Sequence, residues 1–127
     1  MDRAVASLAP LLRRPAVVVG KSTVPVGTAS RLSQRIAERV GDGVDVLLAW
    51  NPEFLREGHA VKDTLTPDRF VYGVPAGPAG EAAVEALDEV YATPLSAGTP
   101  RLIMDYPTAE LVKAAANSFL ATKISFI

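Results

Sequence analysis

The chain has 127 residues, the size of one domain or part of one, and is 49% hydrophobic and 21% charged, the makeup of an ordinary folded protein. A formal net charge of -1 gives no electrostatic case for nucleic acid or an anionic membrane surface as partner. The absence of cysteine excludes disulfides, thiolate metal sites and a cysteine nucleophile within the chain, and a single histidine, His59, argues against a histidine metal site. No apolar run approaches the ~20 residues of a membrane helix. The apolar stretch Ala4–Leu12 follows Asp2 and precedes Arg13-Arg14, the wrong charge order for a secretory signal, so the expected location is the cytoplasm.

In chain order, residues 2–12 read as an amphipathic helix. Ala16–Gly20 is a short continuous apolar run, the pattern of a strand buried on both faces. Thr28 can cap a helix to about Val40, with Leu32, Ile36 and Val40 on one face and Gly41 closing it. Val44–Trp50 is a second buried strand. Asn51-Pro52 then has the signature of a short helical turn, Asn as cap and Pro at the first position, with Gly58 ending it. Arg69–Val74 reads as a third strand, residues 75–80 as a loop and Glu81–Tyr91 as a helix. A loop rich in Pro, Gly and Ser at 94–100 leads to a fourth strand, Arg101–Met104, and a last helix runs from about Pro107 to the end. Strands alternating with helices predict an α/β fold with a mostly parallel sheet. Ligands of such sheets bind beyond the carboxyl ends of the strands, which points to Lys21-Ser22-Thr23 and Asn51-Pro52-Glu53.

Familiar nucleotide motifs are missing. Gly20-Lys21-Ser22 resembles the end of a phosphate-binding loop, but that loop needs a glycine where Pro15 stands. Gly41 and Gly43 have the first spacing of a dinucleotide fingerprint, but Val46 holds its third place. Three weaker constellations remain. The hydroxyls of Ser22 and Thr23 can face a ligand or serve their own turn. Glu53 and Glu57, four apart, share a face if the turn is helical; two close carboxylates raise one pKa, which suits a general acid or base. The plainer reading is two solvated glutamates, one paired with Arg56 or Lys62. Lys113 and Asn117 are also four apart and can present a cation and an amide donor to a developing oxyanion, or can be a Glu110–Lys113 surface pair with a solvated Asn. Trp50, Phe54, Phe70 and Phe119 read as core. His59 reads as a surface or hinge residue, and Arg69 as a partner of Asp68 or Asp63.

Taken together, KSTVPVGT (Lys21–Thr28), NPEFLREG (Asn51–Gly58) with Ala60-Val61-Lys62-Asp63, Pro67-Asp68-Arg69, and ELVKAAANSFLATKI (Glu110–Ile124) resemble the UDP-glucose/GDP-mannose dehydrogenases in order and spacing. The resemblance covers nearly the whole chain, outweighs the plainer readings above, and favours UDP-glucose as substrate. It implies the C-terminal part of a Rossmann-like parallel sheet with the start of a long central helix: residues 1–105 as the second half of an NAD-binding domain and 106–127 as the start of a dimerisation helix. It implies a two-step oxidation of the sugar's C6 alcohol to an acid with two NAD⁺, through a thioester on a cysteine. Thr23 matches the threonine that helps hold the catalytic water and faces the cofactor, beside Ser22. Glu53 matches the glutamate that does acid/base work in thioester hydrolysis, and Glu57 the one near nicotinamide and substrate. Lys113 and Asn117 match the pair that steadies the C6 oxygen. Phe54 and Leu55 match backbone contacts to the substrate. No metal, nucleic acid or membrane enters, and the parent enzyme is expected to be a homodimer or larger.

The resemblance also implies a glycine-rich cofactor turn upstream of Met1 and a cysteine nucleophile downstream of Ile127, and the last helix ends without a capping residue. The chain is therefore expected to be a fragment. A different class of reading is a non-catalytic module that self-associates through its last helix; a third, another NAD-dependent branch such as the 6-phosphogluconate-like enzymes, is opposed by NPEFLREG. Purified 1–127 is expected to have negligible dehydrogenase activity, and steady NADH production with UDP-glucose would refute that.

Overall fold

In the computed structural model, which describes residues 1–127, the two apolar runs lie side by side at one half of the sheet. Ala16–Gly20 (β1) and Val46–Trp50 (β2) pair in parallel, with Gly20 opposite Trp50. Alternate side chains of a strand point to opposite faces. Val18, Val46, Leu48 and Trp50 accordingly join one hydrophobic cluster, and Val17, Leu47 and Ala49 join the other. Both faces are covered, which explains why the strands read as continuous rather than alternating apolar runs.

Phe70–Gly73 (β3) and Arg101–Met104 (β4) are parallel to each other and complete a sheet of order β1-β2-β3-β4. Their direction opposes that of β1 and β2, and the two halves meet at the antiparallel bridge Trp50–Gly73. The sheet is thus mostly parallel with one antiparallel seam. Between Trp50 and Phe70 the chain forms a loop and one short helix, Ala60–Leu65 (α3), and returns alongside β2 instead of crossing the sheet.

Helices cover both faces. Asp2–Leu8 (α1), Thr28–Ala37 (α2) and Tyr106–Ser125 (α6) bury Val5, Ala29, Leu32, Ile36, Tyr106 and Ala109 against Leu48, Trp50 and Val71. On the other face, Pro78–Val90 (α4) sets Ala83 and Leu87 against Ala49, Phe70 and Tyr72, with Leu95 of Ala92–Ser96 (α5) packed beside them. Asp105 starts α6 by accepting the Thr108 amide at 2.8 Å, with Pro107 in the first turn. Tyr106 anchors the helix to the sheet, its buried hydroxyl donating to the Leu48 carbonyl at 2.6 Å.

Several expected boundaries shift. The first helix gives way to a 3-10 turn at Ala9–Leu11. α2 ends at Ala37, and its cap is Gly27, at a φ of 94°, rather than Thr28, whose hydroxyl donates to the Pro25 carbonyl. α4 begins at Pro78, inside the segment read as loop, because Gly77 takes a positive φ and Pro suits a first helical position. α5 occupies part of the 94–100 loop. The helical turn expected at Asn51-Pro52 is absent; residues 51–56 carry no regular structure. Phe119, read as core, is 74% exposed on the far half of α6.

Gly20 lies against the Trp50 ring, and a methyl group there would overlap the indole. Trp50 is 1% exposed and has no open side to move into. Gly20→Ala is expected to destabilise the fold by about 1–3 kcal/mol, the usual range for overpacking. Urea unfolding checks this, and an unchanged midpoint would contradict it.

Candidate functional site

The carboxyl ends of β1 and β2 are tied together before any functional side chain is placed. The Asn51 amide donates to the Gly20 carbonyl at 2.8 Å, continuing the ladder one residue past β2. The Asn51 side chain is fully buried, and its oxygen is doubly engaged. Its Nδ2 donates to the Val71 carbonyl at 2.9 Å, and its Oδ1 accepts from Lys21 Nζ and from the Tyr91 hydroxyl, both at 2.7 Å. Lys21 Nζ also reaches the Tyr91 hydroxyl at 3.1 Å, and the Tyr91 ring stacks on Phe70 with centroids 4.2 Å apart. An Asn engaged this way has no oxygen left to cap a helix, so the turn read from Asn51-Pro52 does not form.

The loop that follows aims Glu53 at α6. Glu53 Oε2 accepts the Leu55 amide at 2.6 Å, and its Oε1 lies 3.2 Å from Lys113 Nζ. Burial works to raise the Glu53 pKa, but the Leu55 amide and then the Lys113 ammonium outweigh it, and the net shift is downward. Glu53 is therefore a carboxylate at neutral pH, and its own shift runs opposite to the rise that a close second carboxylate would produce. Without a helix the two residues share no face, and Glu57 is exposed. Lys113, 8% exposed, also lies 5.3 Å from the centre of the Phe54 ring, and the Arg69 guanidinium lies 4.6 Å from the same centre. Phe54 is half-buried: it packs against the core as expected and also meets two cations, so Arg69 meets this ring instead of Asp68 or Asp63.

Asp63 belongs to Arg56. Its carboxylate accepts the Arg56 backbone amide at 2.9 Å, Nε at 3.0 Å and Nη2 at 2.6 Å, a fork that closes the loop between Glu53 and α3. The cleft under this loop, about 160 Å³, has Lys21, Phe54, Arg69 and Tyr91 among its walls. Ser22 and Thr23 stand exposed after β1, and Leu55 is exposed as well. Asn117 is exposed one turn beyond Lys113 on α6. The fold thus brings Glu53, Phe54 and Lys113 together and leaves Ser22, Thr23, Glu57 and Asn117 exposed, outside the walls of the cleft.

The sequence reading missed Glu110. It is 1% exposed and makes no pair with Lys113; its oxygens accept the backbone amides of Gly27 and Ala29, each at 2.6 Å. A signal was available. Tyr106, Ala109, Glu110 and Lys113 are the buried residues of α6 and follow the i, i+3, i+4, i+7 spacing of a buried stripe, so two charges sit where apolar residues are expected. The sequence marks Asn51 as a helix cap in a ligand-facing segment and Tyr91 as a helix end; their contacts, with partners up to 70 residues away, leave no local trace.

The Arg56 side chain, through its hydrogen bonds and then its backbone amide, holds the Asp63 carboxyl well below its ordinary value of 3.8. A depressed carboxyl pKa contributes stability that is present above the ordinary value and is lost as pH falls through the folded one. Asp63→Asn should therefore be less stable than the unchanged chain at neutral pH, and the gap should narrow on acidification below about pH 4. Thermal melts of both chains across that range check this; a gap that does not change with pH would remove the Arg56 fork as its cause.

A model of the UDP-glucose/GDP-mannose dehydrogenase family's NAD-binding domain matches residues 1–95. The UDP-glucose 6-dehydrogenase YwqF of Bacillus subtilis is 45% identical over 116 residues, 91% of this chain and 25% of that protein. A UDP-glucose dehydrogenase structure from Pyrobaculum islandicum superposes with a TM-score of 0.85 at 42% identity, over 98% of this chain and 28% of that one. A GDP-mannose dehydrogenase structure from Pseudomonas aeruginosa gives the same TM-score at 27% identity, with the same shares covered. The chain spans about a quarter of the length of the relatives it matches. Exposed hydroxyls at the carboxyl end of a parallel strand fit one end of a dinucleotide, while the sequence holds no glycine-rich turn for its pyrophosphate. The cofactor of the matched domain is NAD, and the chain belongs to the UDP-glucose/GDP-mannose dehydrogenase family.

Proposed function

We propose that this chain supplies part of the active site of an enzyme that oxidises UDP-glucose to UDP-glucuronate with NAD⁺. The observation that carries the reading is the Lys113–Glu53 pair, an ammonium and a carboxylate 3.2 Å apart beside the carboxyl ends of β1 and β2. The choice of UDP-glucose rests on the relatives at 45% and 42% identity, against 27% for the GDP-mannose enzyme. NAD⁺, when bound, takes the hydride from C6.

The residues present divide the work by their charge. Hydride leaves more readily from an alkoxide, and a nearly buried ammonium stabilises that charge far better than water does. Lys113 has this role, with Asn117 one turn on as an amide donor to the same oxygen. Glu53 holds Lys113 until the substrate arrives. Once Lys113 turns to the substrate, Glu53 loses a cation that lowers its pKa and becomes the stronger base, suited to taking a proton from the water that hydrolyses a thioester, whose thiol must come from outside this cysteine-free sequence. Thr23 orients that water, Ser22, Thr23 and Glu57 face the cofactor, and Phe54 and Leu55 line the sugar. Residues 1–105 act as the second half of the NAD-binding domain, and α6 begins a central helix that joins protomers.

Expressed within the reading frame that carries it, the chain should support NADH formation with UDP-glucose, and Lys113→Ala should lower kcat by about 10²–10³-fold, as for loss of one oxyanion-stabilising donor. No turnover with UDP-glucose, or an unimpaired variant, would overturn the reading. One observation favours a second reading, a self-associating module without catalysis. Phe119, Leu120 and Ile124 are exposed on the far half of α6, and Phe126 is exposed just past its end. A reading frame confined to these residues, with a dimer on sizing, would favour it.

A further inference from the structure

The family model ends at residue 95, yet the residue that ties the loop after β1 to α6 lies beyond it, at Glu110. Its carboxylate is buried and spans more than 80 residues of sequence to grip Gly27 and Ala29 at the start of α2. Gly27, the N-cap, has no side chain, and α2 has no side-chain cap of its own. A helix start leaves amides without partners and carries a partial positive charge. Glu110 answers both from a different helix. Three residues on, Lys113 reaches the other loop through Glu53. One face of α6 thus holds the loop after β1 by an anion and the loop after β2 by a cation.

We propose that Glu110 is a positioning residue: by fixing α6 against the start of α2, it sets where the Lys113 ammonium stands relative to Glu53 and Thr23. The loop that presents Ser22 and Thr23 is then held at both ends, by the Lys21–Asn51 contact where it leaves β1 and by Glu110 where it enters α2. Tyr106 and Ala109 hold α6 to the core from the side, but the Glu110 bonds fix its position along α2. Glu110 touches no substrate in this scheme and acts only through Lys113. The assignment builds on the role proposed for Lys113, but it is tested without substrate, so the two can fail separately.

The test is NMR on the 127-residue chain, following the amides of Gly27 and Ala29 and the ε-methylene of Lys113. Glu110→Gln leaves one acceptor oxygen and turns an NH₂ group toward the other amide. Amide exchange at Gly27 or Ala29 should quicken about tenfold or more, as for loss of a hydrogen bond to a charged group. The Lys113 signal should shift, and its cross-peaks to Glu53 should weaken. Leu87→Ala, in the core on the opposite face of the sheet, lowers stability without touching this contact and should leave the Lys113 signal and its Glu53 cross-peaks in place. If Glu110→Gln moves Gly27 and Ala29 but leaves Lys113 in place, or if Leu87→Ala moves Lys113 equally, the assignment is overturned. Should the Gln variant not fold, Glu110→Asp, which keeps the charge but withdraws it by one methylene, carries the same comparison. If neither folds, Glu110 is required for folding rather than positioning, and the assignment fails.

Discussion

A carboxylate and an ammonium on one face of α6, Glu110 and Lys113, hold the site together. Each is almost fully buried, and a buried charge is tolerated only where partners replace its water. Glu110 finds two main-chain amides at the start of α2; Lys113 finds Glu53 and the Phe54 ring. Hydrogen bonds to charged groups contribute roughly 1.5–3 kcal/mol each, while leaving one buried charge unpaired costs about 3–5 kcal/mol. The second figure governs here. The loops after β1 and β2 cannot leave α6 without stranding a charge, so the geometry of the site is enforced by the penalty of breaking it.

The loop after β2 adds its own restraints. It carries no regular structure over residues 51–56, but its polar groups are occupied in turn: Asn51 with Lys21, Tyr91 and Val71, Glu53 with Leu55, and Asp63 with Arg56. These bonds hold the segment in place of a backbone ladder, while its side chains can point in directions a helix would forbid. Glu53 can face α6 and Arg56 can turn back to Asp63 because neither is bound to a helical period.

The same economy of charge explains the chemistry proposed for the pair. In the free chain Glu53 and Lys113 neutralise each other, so neither is an active base or an exposed cation. In the proposed mechanism, a substrate oxygen that draws Lys113 away would free Glu53 to act as a base, with the Phe54 ring still 5.3 Å from the ammonium in the free chain.

The sequence alone determined the α/β class, the strands from Ala16 and Val46 onward and the long last helix, because buried strands and helix starts leave local patterns in apolar runs, Gly and Pro. Its motifs also named Glu53, Phe54 and Lys113. Where those residues would stand was not legible. A helix at Asn51-Pro52 is what local rules predict, and it is cancelled by Lys21 and Tyr91, which only folding brings to Asn51. The downward shift at Glu53, the exposure of Phe119 and Asn117, and the reach of Glu110 to Gly27 were likewise settled by contacts between distant segments. Propensity and spacing act over a few residues. The electrostatic partners of a buried charge are chosen by whichever strands and helices pack around it, and that choice belongs to the tertiary structure.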